Sequence, residues 1–152
     1  EERRVSLFTS AMPAEGKTFC SINYAASLAQ LGRKTLLIDA DLRRPTVEAT
    51  LLGKETGNAG LTDYLNGRKT LNEVVQPTKI ENLFFISGGT TAANPAELLA
   101  KDGLSAVIQD ALRLARTDRQ KQSLTGLQNY WSRKAREKGI LTEKDLDRYL
   151  KK

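Results

Sequence analysis

The residues best suited to chemistry in this 152-residue chain fall in two short runs. The first is Ser10-Ala11-Met12-Pro13-Ala14-Glu15-Gly16-Lys17-Thr18, set between an apolar segment and a helical one. A tight loop in that setting turns backbone N–H groups inward, where they complement phosphate oxygens. The amides of Ala14, Glu15, Gly16, Lys17, Thr18 and Phe19 are the candidate cradle. Lys17 adds a point charge for the outer phosphates, and the Thr18 hydroxyl is a candidate Mg²⁺ ligand. The usual pattern has a further glycine five positions before Gly16, where this chain has Ala11. The plain alternative is an ordinary helix N-terminus carrying an exposed lysine.

The second run is Leu36-Leu37-Ile38-Asp39-Ala40-Asp41-Leu42-Arg43-Arg44-Pro45. An apolar strand ending in Asp39 delivers a carboxylate to the carboxyl edge of a parallel sheet, where open α/β folds bind ligands. Asp39 and Asp41 stand one residue apart, so an extended backbone projects both the same way. Two carboxylates aimed at one place repel unless a cation lies between them, and nucleotide-borne Mg²⁺ is the economical choice. Either aspartate could instead cap the following turn. Arg43 and Arg44 are open to phosphate, to a partner's carboxylate, or to solvent alone.

Positioning these groups requires a strand, a helix and a strand in succession. Val5–Thr9 reads as a short buried strand, and the residues from Phe19 to Leu31 as a largely buried helix ended by Gly32. Lys34–Asp39 is nearly all apolar, which predicts a parallel strand covered on both faces. Short helical turns are predicted over 46–52, 61–65, 71–75 and 96–100, a third strand over 82–87, and a helix over 104–114. Leu124, Leu127, Tyr130 and Trp131 resume a helical stripe that Gly139 closes, and Thr142 begins a last helix with Leu146, Tyr149 and Leu150 on its apolar face.

Composition removes several classes of function. One cysteine and no histidine exclude disulfide frameworks, zinc sites and imidazole-based triads, and fit a reducing compartment such as the cytoplasm. No stretch approaches the roughly 20 apolar residues of a membrane span, and the N-terminal residues carry no secretory pattern. The net charge of +6 is concentrated in the last 40 residues, where 12 Lys/Arg face 5 Asp/Glu. That asymmetry predicts two segments with different physical roles. The run Arg133-Lys134-Ala135-Arg136-Glu137-Lys138 invites a nucleic-acid or anionic-membrane reading as well as that of a solvated helix face.

The segments TSAMPAEGKTF (9–19), LLIDADLRRP (36–45), Gly60–Leu65, NLFFISGG (82–89) and NPAELL (94–99) resemble the cytoplasmic kinase domain of bacterial tyrosine autokinases of exopolysaccharide biosynthesis. The resemblance runs from Val5 to about Leu112. It implies an α/β fold, a three-layer parallel sheet of the P-loop NTPase kind over residues 1–115, followed by a basic helical tail over 116–152. It also implies ATP and Mg²⁺ as cofactors and phosphoryl transfer to tyrosine. Lys17 and the loop amides would hold the phosphates, Thr18 with Asp41 would place Mg²⁺, and Asp39 would orient or deprotonate the attacking phenol. A tyrosine hydroxyl, with a pKa of about 10, needs such help at neutral pH. The partners implied are a membrane-bound polysaccharide co-polymerase or activator and a further copy of the chain, at the inner face of the cell membrane.

The resemblance stops where the family continues with an apolar strand ending in another metal-associated aspartate. No such run follows Leu112, and the tyrosine-rich tail is absent, with Tyr130 and Tyr149 isolated. The sequence therefore reads as an N-terminal kinase portion joined to an unrelated helical tail, with transfer impaired and sheet edges left to be covered. Two alternatives stand beside the kinase: a partition-type or septum-site ATPase sharing the loop and first aspartate, and a non-enzymatic module that binds through its basic tail.

Overall fold

The computed structural model describes residues 4–54, 56–100 and 102–137. The elements in order are α1 (Lys17–Gln30), β1 (Thr35–Ile38), α2 (Val47–Leu52), α3 (Leu61–Leu65), α4 (Leu71–Val74), β2 (Gln76–Pro77), β3 (Leu83–Ile86), α5 (Pro95–Ala100) and α6 (Gly103–Glu137). The chain forms two compact units, Glu1–Val107 and Ile108–Lys152.

In the first unit the sheet has the order β1-β3-β2. β1 and β3 are parallel, with Thr35 opposite Leu83 and Ile38 opposite Ile86. The ladder continues one step further, where the Asp39 N–H donates to the Ile86 carbonyl at 2.9 Å. β2 was not legible in the sequence; Gln76 and Pro77 pair antiparallel with Phe85 and Phe84, which makes the sheet mixed. β3 is the central strand, with Leu83, Phe85 and Ile86 buried. β1 is an edge strand whose four residues are all half-buried, so the expectation of cover on both faces is corrected.

The largest departure concerns Val5–Thr9, which forms no strand. Val5 is 62% and Leu7 79% exposed. A five-residue segment stays in a sheet only if a neighbour takes its backbone groups, and among the described residues no strand stands beside it. The helix after the loop feels the same lack. Ala25 and Ala29 of α1 pack on Leu83, with Leu37, Leu51 and Ile80 around them, whereas Phe19, Tyr24 and Leu31 are exposed. The predicted largely buried helix is thus buried along one narrow strip. Phe8 keeps one link to it, its ring centroid 5.6 Å from that of Tyr24. Gly32 ends α1 as expected, with N–H bonds from Gly32 to Ala29 and from Arg33 to Leu28.

The carboxyl end of β3 is fixed by close backbone packing. Leu61 N–H donates to the Ser87 carbonyl at 2.7 Å and Thr62 N–H to that of Gly88 at 3.1 Å. The Thr62 hydroxyl adds a bond to the same Gly88 oxygen, 2.8 Å. Asp63 folds back to accept the Gly60 N–H at 3.0 Å, which fastens the start of α3.

α6 is one helix of 35 residues, where the sequence suggested a helix over 104–114, a polar break and a second helix. Arg, Gln and Lys between 116 and 122 are good helix formers, so polarity alone does not interrupt it. Leu124 and Tyr130 of the supposed apolar stripe are exposed. The first unit ends at Val107 and the second begins at Ile108. Within the second unit, Lys134 pairs with Glu137 at 3.1 Å and Arg113 with Asp110 at 3.3 Å. The predicted closure at Gly139 and the helix from Thr142 lie outside the described residues.

A side chain at Gly60 would run into the Ser87 carbonyl and the backbone of Gly89, neither of which can yield. Gly60→Ala is expected to lower stability by about 3 kcal/mol or more in urea titration, as overpacking against rigid backbone does. Gly67→Ala, at φ +69° with open space around it, should cost only about 1 kcal/mol.

Candidate functional site

The loop and the first turn of α1 are shaped by two left-handed residues, Ala14 at φ +64° and Gly16 at φ +87°. Gly16 adopts this conformation freely, which lets the chain turn directly into α1 while its carbonyl accepts the Cys20 N–H at 2.9 Å. Two side chains tie the loop together. The Ser10 hydroxyl donates to the Met12 carbonyl at 3.0 Å, and the Met12 N–H donates to Glu15 Oε2 at 3.1 Å. Lys17 and Thr18, half-buried, open the helix, and Phe19 beside them is exposed.

Across from the loop lies the run that follows β1. Asp39 is buried, 6% exposed, and both its oxygens are engaged. Oδ1 accepts the Asp41 N–H at 3.1 Å; Oδ2 accepts the N–H groups of Thr46 and Val47, each at 3.0 Å. This carboxylate therefore serves as an anionic cap for the N-terminus of α2, the turn-capping alternative raised by the sequence. Burial pushes its pKa above the ordinary value, against the downward pull of the three amides, with a smaller upward push from Asp41. Asp41 points elsewhere: it is exposed, and its Oδ1 accepts the Arg44 N–H at 3.1 Å. The expectation that the two aspartates project alike is corrected, because the chain turns immediately after the ladder step at Asp39. Leu42, buried between them and the exposed Arg43 and Arg44, anchors the turn.

One contact joins the two halves. Thr18 Oγ1 lies 3.1 Å from Thr46 Oγ1, and the Thr46 backbone is itself bonded to Asp39. The opening turn of α1 is thus linked through Thr46 to the end of β1. Thr46 was not singled out from the sequence as a functional residue, although a threonine between Pro45 and a helical stretch is an N-terminal signal. Gly88, at the end of β3, allows the run to pack closely: a side chain there would strike Pro45.

The donor set fits a metal–nucleotide complex better than a free-standing metal centre. Among the described residues no group of three His, Cys, Asp or Glu is poised around one point. Mg²⁺ is commonly held by one or two protein ligands with substrate phosphates supplying the rest. Thr18, half-buried, and Asp41, exposed, are the candidates for such a pair, while Asp39 has three of its roughly four lone pairs on amides.

A family model described as an AAA domain matches residues 14–119. Tyrosine-protein kinase CpsD of Streptococcus pneumoniae is 38% identical over 109 residues, covering 72% of this chain and 48% of that protein. The kinase domain of Escherichia coli tyrosine kinase ETK superposes with a TM-score of 0.63 at 38% identity, over 68% of this chain and 40% of that one. The septum site-determining protein MinD of Pyrococcus horikoshii, complexed with Mg-ADP, gives a TM-score of 0.56 at 28% identity, over 66% of this chain and 41% of the other. The chain spans about half the length of the curated relatives it matches. Its fold is the α/β fold of P-loop NTPase-like kinase domains. Since the family match starts on the loop, takes in α1, β1 and β3, and extends over well more than half of the sequence, the chain belongs to the AAA domain family, in the company of bacterial tyrosine-protein kinases.

Proposed function

We propose that the chain is the nucleotide-holding part of a bacterial tyrosine kinase of the capsule and exopolysaccharide type. The observation that carries this reading is the Thr18–Thr46 contact, which brings the start of α1 together with the acidic run after β1. The loop amides from Ala14 to Phe19 bind the phosphates of ATP, and the Lys17 ammonium neutralises the outer ones. Mg²⁺, when bound, supplies further charge neutralisation and is held by Thr18 and Asp41. Asp39 acts through Thr46 and Val47 as a positioning residue; the part implied by the family resemblance, orienting the phenol, falls to the remaining lone pair of Oδ1. ATP is the phosphoryl donor and a tyrosine hydroxyl the acceptor. The chain works in the cytoplasm beside a membrane-bound activator, and no described helix is long and apolar enough to cross a membrane.

Isothermal titration with Mg-ATP should give Lys17-dependent binding, with Lys17→Ala weakening it about tenfold or more, the magnitude of a lost charge-assisted bond. Equal affinity in the variant would remove the nucleotide reading. Phosphotyrosine on an added tyrosine-containing copolymer separates the kinase from a septum-site type ATPase, which would release phosphate without it. Asp39→Asn places an NH₂ group where amide donors converge and leaves a single acceptor oxygen. It should lower stability by about 1–3 kcal/mol in denaturant titration, and an unchanged midpoint would show that the cap contributes nothing.

A further inference from the structure

We propose that Glu15 is a positioning residue that braces the phosphate loop in its closed form before nucleotide arrives. Its carboxylate reaches back three residues to take the Met12 N–H at 3.1 Å. The ring so formed encloses Pro13 and Ala14, and Ala14 sits at φ +64°. An L-residue with a Cβ disfavours this conformation about fivefold or more, so something must hold it there. The bond from Met12 to Glu15 spans the strained residue and favours the closed loop by about the same factor. The Ser10 hydroxyl on the Met12 carbonyl secures the next peptide unit, on the other side of the same residue. Gly16, the second left-handed residue, has no Cβ and needs no such support. The brace thus falls at the one loop position where a glycine would have made it unnecessary.

Its consequence for binding rests on the nucleotide reading above. A loop held closed presents its amides without first being ordered, so losing the brace should weaken ATP binding rather than abolish it. Two measurements separate the claims. Site-resolved amide exchange without nucleotide reads the brace alone, and titration with Mg-ATP reads its effect. Glu15→Ala should speed exchange at Met12 and weaken ATP about fivefold each, the fold-change of one such bond. Glu15→Gln keeps a carbonyl acceptor on the same arm and should stay close to the parent in both. Ala14→Gly added to Glu15→Ala should restore most of the ATP affinity, since the strain that called for the brace is gone.

Unchanged Met12 exchange in Glu15→Ala would overturn the proposal. So would Glu15→Gln behaving like Glu15→Ala, or a failure of Ala14→Gly to rescue. Tighter ATP binding by Glu15→Ala would also overturn it, by showing that the carboxylate opposes the phosphates instead of ordering their site. If Met12 exchange responds as expected but the parent chain shows no Lys17-dependent ATP binding, the brace stands and the nucleotide reading falls.

Discussion

The arrangement depends on one buried carboxylate. Asp39 stands where the parallel ladder between β1 and β3 ends, and its oxygens collect the amides of Asp41, Thr46 and Val47. Each of those donors would otherwise be an unpaired group at the edge of the core or at the start of a helix. By satisfying three at once, Asp39 fixes the turn that carries Asp41, starts α2, and sets the Thr46 hydroxyl beside Thr18. Burying an anion is costly, and the upward push on its pKa records that cost. The amide bonds offset it only in part, which leaves a site that favours positive charge nearby.

Two of the three expected strands form, and the difference governs which faces are wet. β3 is the central strand and supplies three of the six largest fully buried side chains, Leu83, Phe85 and Ile86. β1 lies at an edge, and the apolar segment Val5–Thr9 runs outside the sheet. The same absence of neighbouring strand exposes Phe19 and Tyr24 on α1. The loop nevertheless keeps its left-handed residues and internal bonds. Its geometry is therefore set locally, by Ser10, Glu15 and Gly16, and by the hydroxyl contact to Thr46, not by a strand entering from below.

Sequence was most informative where local chemistry decides structure. Gly16-Lys17-Thr18 opened a helix as expected, Gly32 ended it, and the apolar run to Asp39 became a strand with its carboxylate at the sheet's carboxyl edge. These follow from residue types acting on their own backbone. Features set by partners were not legible. Val5–Thr9 has the apolar pattern of a strand but, among the described residues, no neighbour, which no property of five residues can reveal. β2 is two residues long and carries a proline, and only its pairing with β3 defines it. The direction of Asp39 was decided by amides seven and eight residues further on, so a spacing rule for extended chain aimed it wrongly. α6 runs through a polar stretch because helix propensity there outweighs the lack of an apolar face.

The electrostatics of the two halves select the kind of ligand that can join them. On one side, backbone N–H groups and the N-terminal end of α1 carry partial positive charge, reinforced by Lys17. On the other, Asp39 and Asp41 contribute negative charge, one buried and one open to solvent. A bare anion would gain from the loop and be opposed by the carboxylates. A bare divalent ion would meet the reverse, since among the described residues no group of three acidic or metal-ligating side chains is poised to hold it. A polyphosphate carrying its own cation satisfies both, since its oxygens face the amides while its metal faces the acids. Removing either half from that complex leaves the other facing like charge, and the 3.1 Å hydroxyl contact between Thr18 and Thr46 keeps the halves too close to be used separately.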